Sequence, residues 1–262
     1  MRLFDSHSHL QDKRVLSRAG DSITRARDAG VERVLCCGTC ESDWEAVKAL
    51  SEHYGEVVPA FGLHPWFVSN RSDAWLEKLK KILYEKPAAA VGEIGLDHGR
   101  DLKNHEEQSK VFIAQLKLAR KLRRPVSIHC RRAWGSMMEI LERQCGTPDG
   151  GSMHSYSGPP DLVPQLEALN LSISFSGSIT HDQNRRGRAS LAVVSERFLL
   201  VETDSPDIPP AGVMPDSNEP AYCAAIVRKM AELRGTTAAT MGEITFRNAA
   251  RIFIKEGDAT PS

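Results

Sequence analysis

Eight short apolar runs, each followed by a longer stretch of mixed polarity, alternate along the whole chain, and that alternation leaves few folds open. The runs read as strands at 2–7, 32–37, 57–62, 88–94, 125–129, 151–154, 171–176 and 198–203. Between them, Ser42 to His53, Asp73 to Tyr84 and Asn104 to Leu122 carry helical spacing. In the last of these Val111, Phe112, Gln115, Leu116 and Ala119 fall on one face. Asp73 and Asn104 read as helix starts, while Pro87 and Pro125 mark returns to strand. The stretch 177–190, polar and rich in arginine, has the weakest helical pattern; 218–234 and 237–254 read as two final helices that close the structure from outside. Strand and helix alternating eight times predict a single (β/α)8 TIM barrel over 1–254, with 255–262 a frayed tail. A doubly wound open sheet is the competing architecture, but no GxGxxG loop follows any strand.

Composition narrows the function classes. The 34 basic and 34 acidic residues cancel, so no global charge suggests a nucleic-acid coat or a membrane surface. No apolar run reaches the roughly 18 residues of a transmembrane helix. The opening Arg2-Leu3-Phe4-Asp5 has a strand pattern, without the charged-then-apolar layout of a signal peptide, so a cytoplasmic location is expected. Six cysteines suit that compartment as reduced thiols. Cys37-Gly38-Thr39-Cys40 has CxxC spacing, yet no second pair completes a zinc site, and plain thiols are expected there.

The chemistry lies where the apolar runs end. His7 and His9 close the first run; Glu93, His129, His154 and Asp204 close the fourth, fifth, sixth and eighth. In a barrel, strand C-termini meet at one mouth, where the connecting loops build the active site. His7 and His9 alternate across Ser8, so a strand presents both on one face. Imidazole and carboxylate are donors for divalent ions, and a buried cluster of them is costly without a cation. Such a set at one barrel mouth predicts a metal-dependent hydrolase.

The order and wording of these runs also resemble a known family. Phe4-Asp5-Ser6-His7-Ser8-His9-Leu10, Gly62-Leu63-His64-Pro65, Val91-Gly92-Glu93-Ile94-Gly95-Leu96-Asp97, Pro125-Val126-Ser127-Ile128-His129-Cys130-Arg131, His154-Ser155-Tyr156-Ser157-Gly158, Glu202-Thr203-Asp204-Ser205-Pro206 and Asn248-Ala249-Ala250-Arg251-Ile252-Phe253 resemble the TatD family of metal-dependent hydrolases, in the amidohydrolase superfamily. Gln108, Phe112, Gln115, Leu116 and Ala119 follow its pattern too, and His7 with His9 place the chain in the branch with a complete HxH. The resemblance implies two divalent ions, Zn, Mn, Ni or Mg. His7 and His9 would hold one; Glu93 would bridge to a second, held by His129 and His154. Asp204 would bind the first ion and accept a proton from the attacking water, and Glu93 replaces the modified lysine of some relatives. The activity implied is that of a deoxyribonuclease, a 3'-5' exonuclease on single-stranded DNA, acting as a monomer. The alternative is an amide or ester hydrolase such as an aminoacyl-tRNA deacylase; a metal-free barrel used only for binding is the reading furthest from the donor set.

Around the donors, His64 is expected to donate to the substrate and Arg131 to clamp a phosphate oxygen. Asp97 and His98 are assigned to the loop after the fourth strand, in contact with ligands or substrate without binding metal themselves. His98 stands where relatives often carry an aromatic residue. Glu219 lies in a family loop near the mouth with no role evident from sequence, and Trp66 and Tyr156 are candidate stacking platforms. Lys117, Arg120, Lys121, Arg123 and Arg124 read as a solvated helix end on the barrel floor, favoured by the helix dipole. Arg185, Arg186 and Arg188 follow strand seven on the active side and suit a phosphate backbone better.

Overall fold

The computed structural model describes residues 1–99 and 103–254. Eight strands form one sheet in chain order: β1 (Leu3–Ser8), β2 (Val31–Cys37), β3 (Val57–Phe61), β4 (Ala90–Asp97), β5 (Val126–Arg131), β6 (Gly151–Met153), β7 (Leu171–Phe175) and β8 (Leu199–Val201). All seven consecutive pairings are parallel. The sheet closes on itself through a parallel bridge between Ser8 and Ser205. His7 and Ser205 carbonyls accept from Asp204 and His9 N–H at 2.9 and 2.7 Å, and Ser6 Oγ donates to the Val201 carbonyl. The barrel is therefore a (β/α)8 TIM barrel, not an open sheet.

Helices α1 (Ala19–Asp28), α2 (Trp44–His53), α3 (Trp75–Glu85), α4 (His105–Leu122), α5 (Trp134–Arg143), α6 (Val163–Ala168), α7 (Arg185–Val193) and α8 (Cys223–Arg234) connect and surround the strands. Their apolar stripes and the outer faces of the strands bury the main core, including Leu79, Phe112, Leu141 and Ile173. A ninth helix, α9 (Ala238–Phe253), packs on a second cluster made of Phe4, Leu35, Ala60, Ala90 and Leu200. Phe246 and Phe253 lie 6.4 and 6.3 Å from the Phe4 ring.

Four differences from the sequence reading have physical causes. The 177–190 stretch divides into a 3-10 turn over Gly177–Thr180 and α7, which starts where Asn184 Oδ1 accepts from Gly187 N–H. β4 runs to Asp97, so Glu93 lies inside it and Asp97 ends it instead of sitting in a loop. His129 likewise lies within β5. Arg124 is not solvated: it is buried, and its Nη2 donates to the Leu83 carbonyl beneath the barrel. The expected tail, 255–262, lies outside the described residues. Among the described residues no helix is long and apolar enough to cross a membrane, and all six cysteines are free thiols.

Beneath the mouth the interior is lined by hydroxyls. Ser6, Ser127, Ser152 and Ser174 are fully buried and satisfy one another, with Ser6 Oγ 2.9 Å from Ser174 Oγ and Ser152 Oγ 3.2 Å from Ser127 Oγ. Side chains this small leave depth for longer polar groups above them. Two glutamines of α4, seven residues apart on one face, then pin the strand ends. Gln108 bonds both backbone groups of Asp97 (2.8 and 3.1 Å), and Gln115 both of Leu63 (2.7 and 3.1 Å). Gln115→Leu should strand the buried Leu63 N–H and C=O, at about 1–3 kcal/mol for each group. Equilibrium urea unfolding checks this: a midpoint equal to the wild type's would mean that α4 does not anchor this strand end.

Candidate metal centre

Glu93 is the hub. Its carboxylate, 3% exposed, has five imidazoles within reach, and its two oxygens divide them. Oε2 faces His9 Nε2 at 3.3 Å and His7 Nε2 at 3.5 Å. Oε1 faces His129 Nδ1 and His154 Nε2, both at 2.9 Å, and His64 Nε2 at 3.3 Å. Asp204 joins the first pair, with Oδ1 3.6 Å from His9 and 3.8 Å from His7. Of the residues expected from sequence, β1 supplies His7, β4 Glu93 and β5 His129; His9, His64, His154 and Asp204 lie just beyond β1, β3, β6 and β8. Asp204 takes a left-handed backbone (φ 55°), which turns it back over the seam. Arg131 ends β5, half-exposed beside the same opening.

Second partners orient the rings. His7 Nδ1 meets Ser127 Oγ and His9 Nδ1 meets the Cys37 carbonyl, each at 2.8 Å. His129 Nε2 lies 3.2 Å from Asp97 Oδ2, which also accepts from Trp66 Nε1 at 2.6 Å. His64 Nδ1 accepts from Trp66 N–H, so the proton sits on Nε2, and His64 faces Glu93 as a donor.

Charge at the centre is strongly coupled. Burial pushes the Glu93 carboxyl up, but the electrostatic field of His64 and His154 and hydrogen bonds from His129 and His154 hold it well below the usual range. Burial lowers His9 and His154, yet their carboxylate partners, Asp204 and Glu93 for His9 and Glu93 and Glu202 for His154, raise both well above an ordinary histidine. His7 drops to about 4 through burial, then through the neighbouring charge of His154. Without an ion, therefore, protons on imidazole balance Glu93. Donors around a tetrahedral ion with 2.0–2.1 Å bonds stand roughly 3.3 Å apart. His7 and His9 Nε2 are 3.2 Å apart, and His129 Nδ1 and His154 Nε2 3.1 Å apart. His7, His9 and Asp204 form one candidate metal-holding group, while Glu93 joins His7 with His154 in a second and His64 with His129 in a third. The donor set fits divalent cations.

Glu202, fully buried two residues before Asp204, is the functional candidate that sequence reasoning passed over. It had appeared only as part of a run of matching residues, although its spacing from Asp204 equals that of His7 from His9. The remaining expectations divide. Tyr156 packs on Trp134 and donates to the Pro159 carbonyl, so it is no stacking platform. Arg188 is held by Asp182 at 2.6 Å, leaving Arg185 and Arg186 exposed at the start of α7. Glu219 pairs with Arg25, and His98 stacks on His105 at 3.7 Å.

Comparison with known proteins accounts for the arrangement. A family model described as TatD related DNase matches residues 4–254. The uncharacterized metal-dependent hydrolase YjjV of Escherichia coli is 32% identical over 254 residues, covering 96% of this chain and 98% of its own. A crystal structure of YjjV superposes with a TM-score of 0.92, covering 97% and 99% of the two chains. A protein of Escherichia fergusonii named 3'-5' ssDNA/RNA exonuclease TatD is 31% identical over 258 residues, again across 96% and 98%. Shared sequence from the first strand to the last helix, on a common barrel, makes the relationship one of descent: the chain belongs to the TatD family of metal-dependent hydrolases and is an enzyme acting on ester bonds.

Proposed function

We propose that this hydrolase is a two-ion phosphodiesterase that removes nucleotides from the 3' end of single-stranded nucleic acid. The observation that carries the reading is the division of Glu93: one oxygen serves the His7–His9 pair, the other the His129–His154 pair. Asp204 completes the first position. A bound pair of divalent ions supplies Lewis acidity and a water whose pKa lies near neutrality.

The protein's own groups do the rest. Asp204 accepts the proton of the attacking water and returns it to the leaving oxygen. His64, its Nε2–H aimed into the cluster, donates to a substrate oxygen. Arg131, at the rim, meets a second phosphate oxygen in the planar geometry that guanidinium favours. A cavity of about 360 Å³ opens from His129, His154 and Asp204 past Ser155, Ser178 and Asn184. It shares Ser178, Asn184 and Ile208 with a shallower one of about 600 Å³ that reaches His181. Among the described residues Asp204 is the sole carboxylate lining either, so a polyanion meets little repulsion there. Arg185 and Arg186 stand at the start of α7, next to Asn184, where the following phosphates of a strand would pass. The relative named as a 3'-5' exonuclease supports the same substrate class.

Metal-loaded protein with a 5'-labelled single-stranded DNA oligonucleotide provides the test. Stepwise shortening from the 3' end is expected. No nucleotide release with Mg, Mn or Zn, alongside turnover of an aminoacyl ester, would move the chemistry to that bond.

A further inference from the structure

The two imidazole pairs differ in what stands behind them. The first pair rests on uncharged groups, the Ser127 hydroxyl and the Cys37 carbonyl. The second pair is backed by carboxylates. Asp97 lies 3.2 Å behind His129, and Glu202 Oε1 lies 3.4 Å from His154 Nδ1, close but not aligned as a hydrogen bond. Both carboxylates are fully buried. Asp97 is held by Trp66 Nε1 and by Gly99 N–H, each at 2.6 Å. Glu202 Oε1 accepts from Ser155 N–H at 2.7 Å, while its Oε2 has no hydrogen-bond partner.

Two buried carboxylates behind one imidazole pair, one with an orphaned oxygen, are expensive unless positive charge lies nearby. Arg131 comes no nearer to Asp97 than 4.0 Å. The nearest groups able to carry that charge to both are the rings of His129 and His154. The donor sets show the same asymmetry from the front. Asp204 stands beside His7 and His9, whereas among the described residues the candidate groups holding His129 and His154 contain no carboxylate but Glu93, which joins His129 with His64 and His154 with His7.

We propose that Asp97 and Glu202 are positioning residues of the second metal position, supplying through His129 and His154 the negative charge that its own donors lack. This rests on the two-ion reading above. A carboxylate behind an imidazole fixes its tautomer and strengthens the opposite nitrogen as a donor, and removing such a partner costs 10–100-fold in metal affinity. The loss falls on one ion, because the groups behind His7 and His9 are unaffected.

Cobalt(II) titration of the metal-free protein, followed by visible absorption and by equilibrium dialysis, reads each equivalent separately. Wild type should bind two. Asp97→Asn and Glu202→Gln should each weaken one equivalent by about 10–100-fold, change its absorption and leave the other in place. Adding His9→Asn to either variant should weaken the remaining equivalent as well. Glu202→Gln keeps the acceptor for Ser155 and removes only charge, so it carries the expectation alone if Asp97→Asn fails to fold. Two equivalents at wild-type affinity in the variants, or equal weakening of both, would overturn the proposal. A wild-type protein that takes up a single cobalt would instead overturn the two-ion reading.

Discussion

Glu93→Gln should leave a barrel that no longer holds its ions and has lost at least about 100-fold of its activity. That figure is the upper end of what a partner one shell further out costs, and Glu93 is the group that both imidazole pairs share. The amide keeps the volume and one acceptor but removes the charge that, alone among the described residues, faces all five rings. Two of those rings, His9 and His154, owe much of their raised pKa to that carboxylate. The metal-free variant should therefore also lose stability, since removing one member of a buried ion pair costs about 3–5 kcal/mol. Metal content by mass spectrometry and thermal melting of the metal-free proteins check the two halves. Two retained ions would show that Glu93 bridges nothing.

Asp204→Asn isolates the chemical step. Left-handed backbone is tolerated by Asn at least as well as by Asp, so the φ of 55° at this position survives the change. The Asp204 N–H bond to the His7 carbonyl is backbone and survives as well. What disappears is the proton acceptor. With metal supplied at a concentration that offsets the charge lost from the first position, a decrease in kcat of about 10²–10⁴-fold is expected, the usual span for a general base, with KM little changed. Steady-state kinetics on the oligonucleotide decide it. A variant with normal kcat would remove Asp204 from proton transfer.

Much of this centre was legible in the chain because donors that end apolar runs must converge once the runs become parallel strands of a closed sheet. The depth of each donor was not. The fourth run read as closing at Glu93, the first charged residue after its apolar stretch, yet β4 runs on to Asp97 through Gly95. That glycine's φ of 142° suits few other residues, and a Cβ there would lie 2.0 Å from the His129 carbonyl oxygen. Glu202 was missed for a different reason: its meaning depends on His154, 48 positions earlier in the chain, and no local pattern joins them. Arg124 looked solvated because a run of basic residues says nothing of which member turns under the floor. Polar groups serving partners distant in sequence are invisible to periodicity, which registers only the face a residue shares with its near neighbours.

The seam between β1 and β8 runs directly through the donor set. His7 and His9 arrive with the first strand and Asp204 with the last, joined there by Ser8–Ser205 and by Asp5, which accepts from Thr203 N–H at 2.8 Å. An ion gripped from both sides of a closing line works as a clasp. On the proposed assignment of His7, His9 and Asp204 it would not be held until the two ends of the sheet had met, so uptake would mark the completion of the barrel. Once in place, it would resist opening at the joint where sheet order alone leaves a free edge.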